Sequence, residues 1–207
     1  MNISVQVGNY NMSDHDSNAS ETINTHFVNG RALEQDFPEG ALSILLGMGC
    51  FWGVEQKLWQ QAGVWVTSAG YAGGQSDNPD YKSVCQGDTG HAEVVRVIYQ
   101  PEIVSTDQLL ALFWESHDPT QGMRQGNDIG EQYRSAIYCS NQQQLELALS
   151  SRDMYQKQLN ASRFGTITTE IKILQEYHLA EGYHQQYLAK NPDGYCGLKG
   201  TGVSCML

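Results

Sequence analysis

The sequence predicts an α+β fold, a two-layer sandwich with a mixed sheet. Three observations carry this expectation. Short apolar or alternating runs take turns with amphipathic segments in the order β-α-β-β-α-β, followed by α-β-α and a tail. Turns bearing Gly, Pro, Asn or Asp separate them. Hydrophobic residues make up 40% of the 207 residues and aromatic residues 10%, enough for one sizeable core.

Residues 1–40 are polar, with little periodicity, and Asn29-Gly30 and Pro38-Glu39-Gly40 punctuate them. They read as an extended or partly disordered arm. Residues 41–207 read as one catalytic domain that includes an irregular tail from about residue 191. A first strand is expected over 42–47, where Ile44-Leu45-Leu46 is continuously apolar. Gly47-Met48-Gly49 then turns the chain, and a helix runs from Cys50 to about Gln61. Val64 to Gly70 reads as a second strand and Gly70-Tyr71-Ala72-Gly73-Gly74 as its closing loop. A long loop containing Asn78-Pro79 and Tyr81 follows. His91 to Tyr99 alternates as a third strand, stopped by Pro101. Ser105-Thr106-Asp107 caps a helix carrying Leu109, Leu110, Phe113 and Trp114. A glycine-dotted loop after Asp118-Pro119 leads to a strand at about 132–139. Asn141 caps a long helix with Leu145, Leu149 and Leu159. Residues 167–174 alternate as another strand, and His178 to Lys190 reads as a helix with Leu179, Tyr183 and Tyr187 on one face. This order suggests a split β-α-β (ferredoxin-like) plan.

The net charge is −11, which disfavours a nucleic-acid or anionic-membrane partner. No stretch is long and apolar enough to span a bilayer, and the N-terminus lacks the pattern of a secretory signal. A cytoplasmic setting is expected. The five cysteines, Cys50, Cys85, Cys139, Cys196 and Cys205, are an odd count and favour thiol chemistry over a disulfide framework.

Cys50 stands at the junction of a glycine turn and a helix start. The helix dipole and the free N–H groups of the first turn are expected to lower its pKa and make a thiolate available. Phe51 and Trp52 beside it suit a pocket wall. Glu93, near the start of an interior strand, shares a face with Val95, Val97 and Tyr99, so burial is expected to raise its pKa and let it act as an acid. Tyr133, expected on the strand with Ser135 and Ile137, and Tyr81 offer phenol donors. Asp128 lies in the loop Gly126-Asn127-Asp128-Ile129-Gly130. Cys196 and Cys205 lie in a glycine-rich tail, where thiols suit resolution of an oxidised cysteine elsewhere. Cys85 and Cys139 read as structural. His91-Ala92-Glu93 has the H-x-E spacing of zinc deaminases, but no P-C-x-x-C partner exists. No metal and no cofactor are expected. A peroxide-reducing thiol protein and a redox-sensing module are the rival readings of these cysteines.

Gly47-Met48-Gly49-Cys50-Phe51-Trp52-Gly53, Gly70-Tyr71-Ala72-Gly73-Gly74, Gly87-Asp88-Thr89-Gly90-His91-Ala92-Glu93, Asn127-Asp128-Ile129-Gly130-Glu131-Gln132-Tyr133-Arg134-Ser135 and Tyr183-His184-Gln185-Gln186-Tyr187-Leu188 resemble peptide methionine sulfoxide reductase A. The resemblance covers about residues 25–207. It implies a nucleophile at Cys50, a proton donor at Glu93 and supporting hydroxyls on Tyr81 and Tyr133. It further implies a helper carboxylate at Asp128 and a wall for the substrate methyl group at Phe51 and Trp52. Cys196 matches the resolving cysteine and Cys205 the recycling one, with one extra residue before Cys205. The implied activity is thiol-dependent reduction of the S epimer of methionine sulfoxide, free or in proteins, through a sulfenic acid and a disulfide relay regenerated by thioredoxin. A monomer is expected.

Overall fold

Alternating side chains divide the interior strands between two faces, and that division builds the molecule. The computed structural model of the protein describes residues 24–206. Its main sheet contains β1 (Leu42–Met48), β2 (Val64–Ala72), β3 (Ala92–Tyr99), β6 (Ser135–Cys139), β7 (Glu170–Ile173) and β8 (Tyr177–Leu179). Their order is β7-β6-β1-β3-β2-β8. Only β6 and β7 pair parallel, so the sheet is mixed. A two-stranded hairpin, β4 (Arg124–Gln125) with β5 (Asp128–Ile129), stands apart from it.

On one face, Ile44, Leu46, Met48, Val95, Val97, Tyr99, Ile137 and Cys139 point into the main core. The helices α1 (Phe51–Trp59), α3 (Thr106–Ser116) and α4 (Gln142–Ala161) cover that face with Phe51, Val54, Leu58, Phe113, Trp114, Tyr155 and Leu159. On the other face Leu45, Val94, Ala136 and Tyr138 form a smaller cluster. The α+β fold with a mixed sheet is therefore as expected.

Several elements differ from the sequence expectation. The described part of the arm, residues 24–40, is packed rather than loose. Leu33 is buried against Val66 and Ile98, and Arg96 donates to its carbonyl at 2.6 Å. Residues 1–23 lie outside the described residues. A short helix, α2 (Tyr81–Gln86), replaces the long loop. Asp80 caps it by accepting from the Ser83 N–H, and Ser83 answers with a bond from the Asp80 N–H. The stretch 178–190 is no single helix. Tyr177–Leu179 adds to the edge of β2, and only Tyr187–Lys190 (α5) is helical. The open edge of β2 satisfies backbone groups that a helix would otherwise satisfy, and the Tyr177 hydroxyl bonds the Ser68 hydroxyl at 2.8 Å. Tyr133 lies in a 3₁₀ turn, Glu131–Tyr133, just before β6. The alternating run at 167–174 pairs only over Glu170–Ile173.

A buried polar network fixes the far side of α1. Glu55 is fully buried and accepts from the Thr67 hydroxyl at 3.1 Å and from both the backbone and side-chain N–H of Gln186 at 2.7 Å. Gln186 holds the arm through the Phe27 N–H at 2.8 Å, and His26 bonds Thr67 at 3.1 Å. Burial pushes Glu55 up to about 7 despite these donors. A carboxyl whose folded pKa exceeds its unfolded value of about 4.5 weakens folding once the unfolded chain ionises. Replacing Glu55 by Gln should therefore produce a pH-dependent gain over wild type. The gain should grow from about pH 4.5, with a slope of at most about 1.4 kcal/mol per pH unit, and level off above about pH 7. A mismatched amide donor adds only a pH-independent offset. Urea titrations across this range measure it, and a difference independent of pH would contradict the buried-acid account.

Candidate active site

The turn Gly47-Met48-Gly49 delivers Cys50 to the N-cap position of α1. Gly49 adopts φ +90, and a Cβ there would lie 2.7 Å from Gln125, so the turn requires glycine. Cys50 makes no side-chain capping bond. Glu93 supplies one instead, from β3, its Oε2 accepting the Phe51 N–H at 3.0 Å. The first free donor of the helix thus serves a carboxyl, not the thiol.

Electrostatics follow from this arrangement. Glu93 is 1% exposed, and loss of water pushes it up to about 8 against the single N–H bond, with Asp128 adding in the same direction. At neutral pH the carboxyl is mostly protonated. The thiol of Cys50 is pushed up, not down, first by burial and then by Glu93, although the Trp52 N–H works the other way. This corrects the expectation from the helix start. A dipole contributes within its first turn, whereas burying a charge beside a carboxyl costs more.

Tyr81 opens α2 and Tyr133 closes its 3₁₀ turn. Both phenols are pushed up, each chiefly by burial with Glu93 contributing, so both remain donors. Tyr133 also feels Cys50 and Asp128, which ties these groups into one electrostatic cluster. Asp128, in β5, is raised by partial burial and accepts from the Tyr195 hydroxyl at 3.2 Å. Phe51 is buried and Trp52 half-buried, the latter stacked on Tyr187 with centroids 3.9 Å apart.

Cys196 joins this group. An ideal Cβ on Gly53 would sit 2.6 Å from its Sγ, and the Cys196 charge acts on Cys50. Cys205 does not join it. Its neighbours are Glu115 and Tyr155 on α3 and α4. Cys139 is buried in the core, as expected. Cys85 is exposed, and its contact is the Tyr81 hydroxyl, so it is not a buried structural thiol. All five thiols are free.

Two residues escaped the sequence reading. Glu181 holds the pocket floor, accepting from the Tyr71 hydroxyl at 2.8 Å and from the Tyr81 N–H at 2.8 Å. His184 accepts from Trp52 Nε1 at 3.0 Å and packs its ring 4.9 Å from Phe51 and 4.5 Å from Tyr81. Burial lowers it to about 3, so it stays neutral and keeps an acceptor nitrogen for Trp52. Both lie in the stretch read as a regular helix, whose spacing gave no sign of an inward turn. Among the described residues no group of three His, Cys, Asp or Glu is arranged to hold a metal ion. The reacting groups are uncharged, a thiol, a protonated acid and two phenols between aromatic walls, with the Asp128 carboxyl nearby. Such a set can protonate an oxygen on a small neutral group while sulfur attacks the atom bearing it.

Gly53 leaves the space in which Cys196 sits. Gly53→Ala should slow formation of a Cys50–Cys196 disulfide by about tenfold or more, because a displacement near 1 Å disrupts attack geometry. Mass spectrometry of peroxide-oxidised protein over time measures this. An unchanged rate would show that the tail approaches Cys50 from elsewhere.

The sequence profile of the peptide methionine sulfoxide reductase family matches residues 42–203. A peptide methionine sulfoxide reductase of Brucella anthropi is 60% identical over 184 residues, covering 89% of this chain and 84% of the relative. A mitochondrial peptide methionine sulfoxide reductase of Homo sapiens is 61% identical, covering 87% and 77%. Among solved structures, methionine sulfoxide reductase A of Corynebacterium diphtheriae superposes with a TM-score of 0.79 at 42% identity, covering 91% of this chain and 98% of that one. Mxr1 from Saccharomyces cerevisiae in reduced form gives 0.73 at 32% identity, covering 79% and 96%. Mxr1 has also been solved in complex with Trx2.

Proposed function

The chain belongs to the peptide methionine sulfoxide reductase A family, oxidoreductases that reduce methionine sulfoxide, and from its geometry we propose how this site performs that repair. Cys50 attacks the sulfoxide sulfur. Glu93 donates a proton to the departing oxygen, with Tyr81 and Tyr133 donating hydrogen bonds to it. The thiol proton of Cys50 restores Glu93. The bond between the two sulfurs then breaks with its electron pair going to methionine, while the protonated oxygen passes to the Cys50 sulfur. Methionine leaves as a neutral thioether and Cys50 becomes a sulfenic acid, so atoms and protons balance without an external acid. Phe51 and Trp52 hold the methyl group, and Asp128 helps to orient the polar side of the pocket. The observation that carries this reading is the Glu93 carboxyl, buried on the Phe51 N–H beside Cys50 and kept protonated.

Cys196, seated over Gly53, then condenses with the sulfenic acid, releasing water and forming a disulfide. Cys205 takes over by exchange, and an external dithiol reduces the Cys196–Cys205 bond. The complex of Mxr1 with Trx2 supports thioredoxin as that dithiol. The proposed substrate is the S epimer, free or within proteins, as membership of the family implies. A cytoplasmic setting, where a dithiol relay can be kept reduced, and a monomer are part of this proposal.

A single-turnover assay on the two separated epimers tests this. Wild type should release about one methionine per enzyme from the S epimer only. Cys50→Ser should release none, since a hydroxyl is a far weaker nucleophile. Glu93→Gln should slow the step by about 10² to 10⁴, the usual worth of a general acid. The wild-type rate should be flat below about pH 8 and fall above it, where Glu93 loses its proton, and the variant should lose this dependence. Reduction of the R epimer, or a Glu93→Gln rate near wild type, would overturn the assignment.

A further inference from the structure

The C-terminal segment is not a loose end. Its backbone and side chains run along the groove between α3 and α4. Tyr155 donates to the Val203 carbonyl at 3.1 Å, and its hydroxyl meets that of Thr201 at 3.0 Å. The amide of Gln158 brackets the segment beyond, donating to the Ser204 carbonyl at 2.7 Å and accepting from the Met206 N–H at 3.1 Å. Gly200 has no room for a side chain, since a Cβ would clash with the Glu115 carbonyl. At the end of this path, Glu115 Oε1 accepts the Cys205 N–H at 2.7 Å. Glu115 makes no ion pair among the described residues.

Cys196 sits on Gly53 at the start of α1, while Cys205 sits on Glu115 with its side chain against the main core. Both sulfurs are free, so a bond between them requires at least one to leave its present seat. Cys196 is already beside Cys50. The sulfur that must travel is that of Cys205.

We propose that Glu115 is a positioning residue of the relay, a latch that holds the Cys205 segment in the α3–α4 groove until exchange with Cys196 is required. The proposal rests on the reductase reading above. In the exchange, the Cys205 sulfur attacks the Cys196 sulfur of the Cys50–Cys196 disulfide. The Cys196–Cys205 bond forms, the Cys50–Cys196 bond breaks, and Cys50 departs with the electron pair and takes up the proton that Cys205 released. The seat on Glu115 works against this in two ways. It anchors the backbone at Cys205 itself. It also disfavours the thiolate, because burial and the Glu115 charge together push Cys205 up to about 12.

The test is a single turnover of the reduced full-length protein with one equivalent of a methionine sulfoxide peptide, acid quench at successive times, alkylation and disulfide mapping. Methionine release should be the same in wild type, Glu115→Ala and Glu115→Gln. Conversion of Cys50–Cys196 into Cys196–Cys205 should be about tenfold faster in Glu115→Ala, the effect of losing one charge-assisted bond. Glu115→Gln, whose amide oxygen still accepts the Cys205 N–H without the charge, should lie between. Alkylation of Cys205 in the reduced protein should follow the same order. Cys205→Ser marks the position of the trapped first disulfide. Slower conversion in Glu115→Ala would mean that Glu115 delivers Cys205 rather than restrains it, and an equal rate would mean that it does neither. Either result overturns the proposal, as does a wild type that never forms Cys196–Cys205. Loss of methionine release in wild type would instead overturn the reductase reading.

Discussion

One hydrogen bond organises this site: the Phe51 N–H to Glu93. A carboxylate buried on an interior strand needs several donors to stay ionised. Glu93 has one, from the first turn of α1. The bond is enough to hold the carboxyl in place and too little to keep it charged. Neutral Glu93 can then carry a proton to a substrate in the pocket. The same bond takes only the Phe51 N–H. The Trp52 N–H still favours the Cys50 thiolate, but burial and then the neighbouring Glu93 outweigh it, and the thiol stays protonated in the absence of substrate. Reactivity is thus assigned to the pair, with the proton passing between its two members as sulfur and oxygen change bonds.

The position of Phe51 relative to Glu93 is set by the elements behind them. β1 lies between β3 and β6, so the turn out of β1 emerges next to Glu93. Glu55 pins the opposite side of α1 to Thr67 and Gln186, which prevents the helix from rolling about its axis. Glu181 pins the start of α2 and so the Tyr81 backbone, and neutral His184 wedges Phe51, Trp52 and Tyr81 apart. Glu55 and His184 are buried, at a cost in desolvation that apolar residues would avoid, whereas Glu181 is partly exposed. Their partners lie on segments remote in the chain, and each fixes one wall of the pocket.

Much of this was legible in the sequence because it is local. The apolar run into Gly47-Met48-Gly49 fixes β1 and the turn, and alternation over 91–99 places Glu93 on the core side. Asp80 with Ser83 could have revealed α2, since a capping box is a sequence signal, but the Asn78-Pro79 turn masked it. The stretch 178–190 misled because Leu179, Tyr183 and Tyr187 are spaced like a helical face. Pairing with the open edge of β2 is a tertiary event that no local pattern records. The pKa of Cys50 was read with the wrong sign for the same reason. The helix start is visible in the chain, whereas the burial that dominates, and the Glu93 carboxyl that adds to it from a strand some forty positions on, are products of the tertiary fold. The tail was legible as glycine-rich and thiol-bearing, but its seat between α3 and α4 depends on Glu115 and Tyr155, which have no motif.

The protonation state of Glu93 decides the account. Infrared difference spectroscopy of the reduced, substrate-free protein across pH, with Glu93→Gln as the reference, observes the carboxylic acid C=O stretch of this one group. The account predicts a band present at pH 7 that disappears with a midpoint near 8. A midpoint near the ordinary glutamate value of about 4.5 would mean that Glu93 is a carboxylate at neutrality and cannot be the proton donor.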